Sequence, residues 1–336
     1  MHVVRTVKNK EKTLNNMTEG KTVAVVMCTY NGEKFLREQL DSILRQTYPI
    51  SEIIVQDDCS TDSTVAILRS YAARDGRVRV IVNEHNLGFN RNFRSAVMKA
   101  TTDFVAISDQ DDVWMPDKIE RQVEAIGQYN ICYSDHLRGT TLEGAHTVSP
   151  RCSLEALMFG GFAGHTMLLR RDFVQRDDVW MDGIYYDWSL GLNAYFHGEK
   201  AITHIGKPLN WHRSHPQEAA LLQSLSVNPA PKSRPTWQPY VLGYAHFHRL
   251  QRKPTWQRLY SHILENTRDP RFLLHHTMAR LMLSRSPLAM LRLCTICMKH
   301  RRDIYPNAAK TNGIMGMVRG FCWPMIFAYR CSQFDL

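Results

Sequence analysis

The chain has 336 residues, of which 44% are hydrophobic and 22% charged, a balance typical of globular domains. This composition excludes wholesale disorder, a collagen-like repeat and a polytopic membrane protein. The formal net charge is +10, but residues 231–336 alone hold 17 basic and 4 acidic residues. The basic surplus therefore belongs to the C-terminal third, where it favours an anionic partner such as a membrane surface or a phosphorylated ligand.

Cysteine usage and hydropathy bear on the location of the protein. The chain is too long to need disulfide bonds for its stability, so its eight cysteines favour a reducing compartment. No apolar run reaches the roughly 18–20 residues of a spanning helix. Two shorter apolar stretches, 287–298 and 313–329, contain arginines and fit either a membrane interface or ordinary helix packing. A cytoplasmic protein with peripheral contact to the inner face of the plasma membrane is predicted.

Apolar runs of strand length alternate with helical spacing in the first third of the chain. Strands are predicted at 23–27, 53–55, 78–82 and 104–107, with one helix between each pair. This alternation predicts a parallel sheet with right-handed crossovers, whose ligands bind beyond the carboxyl ends of the strands. Polar clusters follow those ends, namely Thr29-Tyr30-Asn31, Asp57-Asp58, Asn86-Leu87-Gly88 and Asp109-Gln110-Asp111-Asp112. Glycine fingerprints for dinucleotides and P-loops are absent from the sequence.

The pattern is weaker beyond Pro116. It predicts a helix over 117–127, a strand over 131–133, a polar loop over 137–150, a strand over 162–169 and a helix over 188–197. Four prolines between Ser226 and Pro239 predict a linker.

Two acidic clusters are the main candidates for chemistry. Three carboxylates within residues 109–112 repel one another unless a cation or hydrogen-bond donors satisfy them, and oxygen ligands of this kind suit Mg²⁺ or Mn²⁺. The alternative is a solvated turn that caps the following helix. Asp57 and Asp58 are placed to accept hydrogen bonds from a nucleotide, or else form an N-cap and loop.

Five ordered motifs carry a family resemblance. Residues 25–32, 46–49, 53–64, 86–88 and 108–114 read VVMCTYNG, QTYP, IIVQDDCSTDST, NLG and SDQDDVW. In this order they resemble the family 2 glycosyltransferases of GT-A fold, and most closely the bacterial rhamnosyltransferase-like members. The resemblance implies an α/β fold with a Rossmann-like nucleotide-binding half, a mixed central sheet and a mainly helical, basic C-terminal region.

The resemblance also implies a division of the chain. Residues 1–20 are expected to form a flexible tail, and residues 21–225 the GT-A domain. Within that domain, 21–115 would be the nucleotide-binding half and 116–225 the acceptor-binding half. Residues 226–336 would form the Pro-rich linker and the basic helical region.

Site residues follow from the resemblance by position. The residues expected to bind the nucleotide are Thr29, Tyr30, Asn31, Asp58, Arg91 and Asp109. Those expected to bind the Mg²⁺ or Mn²⁺ cofactor are Asp109, Asp111 and Asp112, which contain the DxD pair.

Asp187 resembles the catalytic aspartate that removes the acceptor proton, although an N-cap for the helix over 188–197 is the alternative. Trp188, Arg213 and His215 are expected near the acceptor or the diphosphate. Core packing is the alternative for Trp188, and a local hydrogen bond is the alternative for His215. His212 departs from the family, which has tyrosine at this position.

The implied activity is inverting, metal-dependent transfer of a single hexosyl or deoxyhexosyl group from a nucleotide sugar. The acceptor would be a hydroxyl of a cell-surface polysaccharide or of a lipid-linked glycan precursor. A polymerase is disfavoured because the QxxRW signature is missing. The alternative is a catalytically inactive scaffold or sugar-nucleotide-binding protein of a polysaccharide assembly complex. The expected partners are donor, glycan acceptor and an anionic membrane surface, and no nucleic-acid-binding module accompanies the basic residues.

Overall fold

The structure is a computed structural model that describes residues 20–215, 237–305 and 308–331. The predicted tail up to residue 19 and the linker residues 226–236 lie outside the described residues. The described chain divides into two compact units. The first comprises residues 20–149, 163–179 and 197–214, and the second comprises 150–162, 180–196, 215, 237–305 and 308–331.

The first unit contains a sheet of nine strands. The strands are β1 (Val23–Thr29), β2 (Glu52–Asp57), β3 (Val78–Val82), β4 (Phe104–Ser108), β5 (Val113–Trp114), β6 (Ile131–Gly139), β7 (His146–Val148), β8 (Met167–Arg170) and β9 (Ile202–Arg213). Its α-helices are α1 (Leu36–Leu44), α2 (Thr64–Ala72), α3 (Phe89–Val97), α4 (Lys118–Ile126) and α6 (Arg171–Val174). Short 3₁₀ turns cover Gly164–Thr166 and Asp177–Val179.

The strand order is β3-β2-β1-β4-β8-β6-β9-β5, with β7 paired to β6. Strands β1 to β4 are parallel, as predicted from their alternation with helices. Beyond β4 the direction reverses, because β8 is antiparallel to both β4 and β6, and β9 is parallel to β6. The sheet is therefore mixed, which confirms the predicted fold class.

Several predicted elements in the second half of the sheet need correction. The polar loop predicted over 137–150 contains the end of β6 and the short strand β7, which pair as a hairpin. Their side chains are exposed or half-buried, so no apolar alternation marks them. The strand predicted over 162–169 begins only at Met167, after a 3₁₀ turn. Strand β9 had no prediction, because glycine, proline and histidine interrupt its apolar pattern.

One large apolar cluster of the first unit lies on one face of the parallel strands. Val23, Val25 and Met27 of β1 are fully buried there with Leu36 and Leu40 of α1. All five residues of β4 are buried, as expected for a strand covered on both faces. This packing fixes the carboxyl ends of the central strands as a rigid edge.

The second unit is helical. Its helices are α5 (Leu154–Leu157), α7 (Tyr186–Phe196), α8 (Gln238–Leu250), α9 (Pro254–Asn266), α10 (Leu273–Leu283), α11 (Pro287–Lys299), α12 (Arg301–Ile304), α13 (Gly313–Phe321) and α14 (Trp323–Arg330), with 3₁₀ turns at Pro270–Phe272 and Ala308–Thr311. Trp256 and Tyr260 are fully buried, and their polar atoms donate to the carbonyl oxygens of Met282 and Met158. Among the described helices, none has both the length and the apolar character that a membrane span requires.

Candidate active site

The carboxyl ends of β1, β2 and β4 meet at one edge of the sheet. Thr29 and Asp57 are direct neighbours in the β1–β2 register, and the Thr29 hydroxyl donates to Asp57 Oδ1 at 2.8 Å. The backbone N–H of Ser60 donates to Asp57 Oδ2 at 2.8 Å. Asp57 is thus a buried, hydrogen-bonded support of the edge, and Thr29 is 2% exposed.

Asp58 organises the loop that follows β3. Its Oδ1 accepts from the backbone N–H of Leu87 at 2.7 Å and from Asn83 Nδ2 at 2.8 Å. Its Oδ2 accepts from the backbone N–H of Gly88 at 2.9 Å. Asp58 therefore holds the Asn86-Leu87-Gly88 motif in place. Its carboxylate accepts three hydrogen bonds from the protein.

Gln110 connects the loop after β1 to the acidic cluster. Its side-chain Oε1 accepts from the backbone N–H of Tyr30 at 2.9 Å, and its Nε2 donates to the Tyr30 carbonyl at 3.1 Å. Asn31 has a φ of 48° and accepts from the backbone N–H of Thr61 through Oδ1. The Tyr30 ring is 48% exposed at this edge. Tyr30 and Asn31 thus belong to a loop fixed on two sides.

Gly32 leaves room for the Gln110 side chain, because a Cβ at this position would overlap Oε1 of Gln110. We expect Gly32→Ala to displace the amide and to break both hydrogen bonds to Tyr30. The affinity for the predicted nucleotide ligand should fall about tenfold, which corresponds to roughly 1.4 kcal/mol. The free energy of unfolding should change by less than about 1 kcal/mol, because a flexible side chain can rotate away.

Calorimetric titration with nucleotides, together with urea unfolding, checks this prediction. Gly206→Ala is the matched control, since a Cβ there meets no atom within 4 Å. An unchanged nucleotide affinity in Gly32→Ala would show that the Gln110 contact does not shape the site.

Two carboxylates and two imidazoles form a compact group beside this loop. Asp109, Asp112, His165 and His212 each offer one ligand atom, and these atoms lie within 4.8 Å of one another. Asp109 and Asp112 follow β4, His165 lies in the 3₁₀ turn before β8, and His212 lies on β9. The mixed half of the sheet therefore brings the two histidines to the acidic cluster.

Asp112 is the centre of the hydrogen bonding in this group and is fully buried. Its Oδ1 lies 3.0 Å from His212 Nδ1, and its Oδ2 lies 3.0 Å from His165 Nδ1. Asn210 Nδ2 donates to Asp112 Oδ2 at 2.9 Å. The two imidazoles are stacked, with ring centroids 4.8 Å apart and an interplanar angle of 9°. These contacts fix the orientation of both rings.

The two aspartates have opposite pKa shifts. Burial raises the pKa of Asp109 to about 7, with the carboxylates of Asp112 and Asp111 acting in the same direction and His165 and His212 against it. Burial also acts to raise the pKa of Asp112, but His165 and His212 hold it well below its ordinary value. A carboxylate with a raised pKa beside a second, ionised one is typical of a site that a cation would stabilise.

The donor set fits a divalent cation. Carboxylate oxygens suit Mg²⁺ and Mn²⁺, and imidazole nitrogens are preferred by transition metals. His136 adds a third imidazole edge-on to His165, with ring centroids 5.0 Å apart. Burial, with the nearby His165 and His212, lowers the pKa of His136 to about 3, so this ring is neutral at neutral pH.

Arg213 reaches the same loop from β9. Its guanidinium lies 4.3 Å from the Trp211 ring and 4.6 Å from the Phe35 ring, and its Nη2 forms an ion pair with Glu38. Its Nε donates to the carbonyl oxygen of Asp111 at 3.3 Å. Arg213 is thus fixed beside the DxD loop. Asp111 itself is not a member of the four-residue group.

Lys118 is a buried cation near the acidic cluster. The residue is fully buried. Its Nζ has no hydrogen-bond partner in the described chain and lies 5.0 Å from the centre of the Trp114 ring. Burial lowers the pKa of Lys118 to about 7, although Cys132 and Asp112 act in the opposite direction. Between pH 7 and the ordinary lysine pKa, the unfolded chain therefore binds more protons than the folded protein, and stability rises with pH.

We expect Lys118→Met to raise the free energy of unfolding at pH 6.5 by about 1–4 kcal/mol, because it removes a buried, unpaired charge. The difference from wild type should shrink by about 1 kcal/mol per pH unit between pH 7.5 and 9.5. Urea unfolding at several pH values measures both effects. A less stable variant, or a difference that is independent of pH, would contradict this account of Lys118.

The remaining predicted site residues are not members of the four-residue group. The Arg91 side chain is exposed on α3 in the first unit. Asp187 lies in the first turn of α7 in the second unit, where its Oδ1 accepts from the backbone N–H of Trp188 at 2.7 Å. Trp188 is 1% exposed and donates through Nε1 to the Leu157 carbonyl, which favours the core-packing interpretation. His215 follows β9, is assigned to the second unit and is not in the four-residue group.

Sequence reasoning missed two members of the group. His165 stands alone between small and apolar residues, and no spacing connects it to the acidic cluster. His212 attracted notice only as a departure from the family. Asn210 and His212 alternate along β9, and both contact Asp112. A histidine and an amide at alternate positions of a strand were the available signal.

Comparison with known proteins finds a family model that matches part of the chain. The model of the family "Glycosyl transferase family 2" matches residues 24–174, from β1 to the end of α6. TuaG of Bacillus subtilis (strain 168), named as a glycosyltransferase of teichuronic acid biosynthesis, is 36% identical over 112 residues, covering 33% of this chain and 44% of TuaG. WfgD of Escherichia coli, named as a UDP-Glc:alpha-D-GlcNAc-diphosphoundecaprenol beta-1,3-glucosyltransferase, is 32% identical over 111 residues, covering 33% of this chain and 43% of WfgD.

The matched segment therefore spans less than half the length of either relative. Among solved structures, Staphylococcus aureus TarS 1-349 with UDP has a TM-score of 0.49 at 18% identity, covering 78% of this chain and 88% of that one. The mannosyltransferase PcManGT from Pyrobaculum calidifontis, solved with GDP-Man and Mn²⁺, has a TM-score of 0.49 at 18% identity, covering 93% and 87%. The segment over residues 24–174 therefore matches glycosyl transferase family 2, and the two curated relatives are similar to the chain over about a third of its length.

Proposed function

We propose that the protein is an inverting, metal-dependent glycosyltransferase that moves a single hexosyl or deoxyhexosyl group from a nucleotide sugar to an acceptor hydroxyl. The observation that carries the proposal is the group of Asp109, Asp112, His165 and His212 at the carboxyl ends of the parallel strands. This position is where α/β sheets bind nucleotides, and a cation there can bridge to a diphosphate.

We propose Mn²⁺ rather than Mg²⁺ as the preferred cation. Mg²⁺ favours oxygen ligands and retains several waters, whereas two imidazoles in the donor set favour a transition metal. When bound, the cation would neutralise charge that develops on the leaving diphosphate. Asp112 and Asn210 would keep the ligands oriented through the hydrogen bonds described above. Asp111 is also proposed as a metal ligand, and this proposal rests on the family motif.

The nucleotide is proposed to bind over the loops that follow β1, β2 and β3. The exposed Tyr30 ring offers a surface for the base, and Thr29, Asn31 and Asp58 support the loops through the contacts described above. Asp58 is proposed to bind the nucleotide in addition to holding the loop, because a carboxylate has about four acceptor positions and the protein supplies donors to three of them. Arg91 is exposed and carries a positive charge suited to a phosphate.

Asp187 is proposed as the base. The acceptor oxygen attacks the anomeric carbon, its proton passes to an Asp187 carboxylate oxygen, and the bond from that carbon to the diphosphate oxygen breaks. A carboxylate in the first turn of a helix is stabilised in its ionised form, as a base requires. Arg213 and His215 are proposed near the diphosphate, and Trp188 would support the acceptor site only as part of the core.

We propose a cell-surface polysaccharide or a lipid-linked glycan precursor as the acceptor, in line with the names of TuaG and WfgD. We also propose that the chain is divided into a GT-A domain over 21–225 and a basic region over 226–336. We propose a cytoplasmic location with contact to an anionic membrane, which the basic C-terminal third supports.

Calorimetric titration with a panel of nucleotide sugars, with and without Mn²⁺, tests the proposal. We expect one donor to bind in the presence of Mn²⁺ and to lose most of its affinity in the presence of chelator. If no nucleotide sugar binds in either condition, the donor site is wrongly assigned and the inactive scaffold becomes the better account.

A further inference from the structure

Helix α13 has the reverse of the usual amphipathic arrangement. Two of its glycines face the protein: a Cβ on Gly316 would overlap the backbone of Thr311, and a Cβ on Gly320 would come within 3.1 Å of Met298 Cα. The side chains on the other face are apolar and open to solvent, with exposed fractions of 74% for Ile314, 58% for Met315, 40% for Met317 and 43% for Val318. A helix with small residues inside and apolar residues outside presents a binding surface.

Helix α11 adds two more exposed apolar side chains and two cations. Leu288 is 77% exposed and Leu291 is 53% exposed. Arg292 and Lys299 are exposed on the same helix, whereas Met290, Leu293, Cys294 and Cys297 form its buried face. The outward face of α11 therefore combines leucines with basic residues. Its C-terminal end contacts α13, since Gly320 approaches the Cys297 carbonyl and Met298.

The segment from Arg271 to Cys331, which includes α11 and α13, is strongly basic. Between Arg271 and Cys331 the sequence contains ten basic residues and one acidic residue, Asp303. The exposed basic side chains of the described part of this segment include Arg285, Arg292, Lys299, Arg302, Lys310 and Arg330. Exposed apolar residues on a strongly basic segment are the combination that binds an anionic lipid surface, with apolar side chains at the acyl boundary and cations at the headgroups.

We propose that the apolar face of α13, together with the leucines and cations of α11, docks the protein on an anionic phospholipid membrane. This inference rests on the membrane contact proposed above and assigns it to residues. A second copy of the chain fits less well, because it would bring two basic surfaces together. Nucleic acid also fits less well, because the exposed residues are aliphatic rather than the aromatic side chains on which bases stack.

Vesicle flotation of the full chain tests the proposal. Wild-type protein should float with phosphatidylcholine vesicles that contain 30% phosphatidylglycerol and should stay in solution with pure phosphatidylcholine. The double variant Ile314→Ser, Val318→Ser should lower the partition coefficient at least tenfold, and Arg292→Gln, Lys299→Gln should lower it at least threefold. Leu142→Ser, which changes a 45% exposed leucine of the first unit, is the matched control and should bind like wild type.

Two further readouts separate membrane docking from its rivals. Hydrogen exchange of a peptide covering 313–321 should slow in the presence of anionic vesicles, and circular dichroism should show that every variant is folded. The proposal is overturned if wild type stays in solution with anionic vesicles, or if the Ile314→Ser, Val318→Ser variant floats as well as wild type. A wild-type dimer that this variant dissociates, without flotation, would assign the face to self-association. None of these readouts involves sugar transfer, so their failure leaves the proposed donor site untouched.

Discussion

Asp109→Asn should lower kcat/KM for sugar transfer by about 10³, while it stabilises the metal-free protein. The loss of activity follows because the substitution removes a charged ligand from the proposed cation site, a change of about 4 kcal/mol in transition-state stabilisation. The gain in stability follows because burial and neighbouring carboxylates raise the pKa of Asp109 to about 7. At pH 8 the ionised carboxylate is unfavourable in the folded protein without metal.

The raised pKa of Asp109 determines how the stability of the metal-free protein depends on pH. The folded protein binds more protons than the unfolded chain between the ordinary aspartate pKa and about pH 7, so the contribution of Asp109 to stability falls as pH rises through this range. Asp109→Asn should therefore raise the free energy of unfolding of chelator-treated protein at pH 8 by about 1–3 kcal/mol. Added Mn²⁺ should stabilise wild type but not the variant.

Urea unfolding with chelator or Mn²⁺, combined with transfer kinetics, measures both halves of this prediction. Glu124→Gln on the exposed side of α4 is the control for loss of one carboxylate and should change neither quantity. A variant that keeps wild-type activity, or that is less stable than wild type without metal, would be incompatible with Asp109 as a cation ligand.

Asp187→Asn should lower kcat by at least 10³ and leave the dissociation constant of the donor within about twofold of wild type. A base acts on the acceptor proton in the transition state, so its loss lowers kcat without weakening donor binding. The asparagine can still accept the hydrogen bond that the Trp188 N–H donates to Asp187 Oδ1, so the start of α7 should keep its geometry.

Single-turnover transfer assays and donor calorimetry separate these two quantities. Asp182→Asn is the matched control, because Asp182 is an exposed acid five residues before Asp187 in the same unit. An equal fall in donor affinity would assign Asp187 to binding. Unchanged kcat would return Asp187 to a purely structural role at the start of α7.

The sequence predicts the parallel half of the fold well because each element there has its own signal. The buried runs that became β1 to β4 are separated by helices of ordinary length, so their direction and the edge at which they end follow from general rules. Asp58 and Asp109 lie at that edge, as expected from their positions after β2 and β4.

The mixed half of the sheet carries the part of the site that sequence reasoning could not find. His165 reaches Asp112 because β8 runs antiparallel beside β4. His212 reaches it because β9 pairs with β5, which directly follows Asp112, with Val113 opposite Trp211. Register shifts between Ser134 and Leu137 offset the β6–β9 pairing. Such shifts have no signature in hydrophobic spacing, so the residues that meet across them cannot be read from one sequence.

Asp58 shows a second limit of prediction from the sequence. Its position predicted a contact with a nucleotide, and the structure shows that its oxygens accept from the backbone N–H groups of Leu87 and Gly88. A carboxylate at a strand end can serve either purpose, because backbone donors and ligand donors are chemically alike. The nucleotide contact of Asp58 stays a prediction, because a carboxylate has about four acceptor positions and the protein supplies donors to three of them.

The most direct test of the account is anomalous diffraction at the manganese edge from crystals of the full chain soaked with Mn²⁺ and a nucleoside diphosphate. We predict one strong anomalous peak within about 2.0–2.4 Å of ligand atoms of Asp109, Asp112, His165 and His212, with the diphosphate oxygens beside it. A diphosphate bound without any anomalous peak, or a peak outside this group, would contradict the assignment of the cation site.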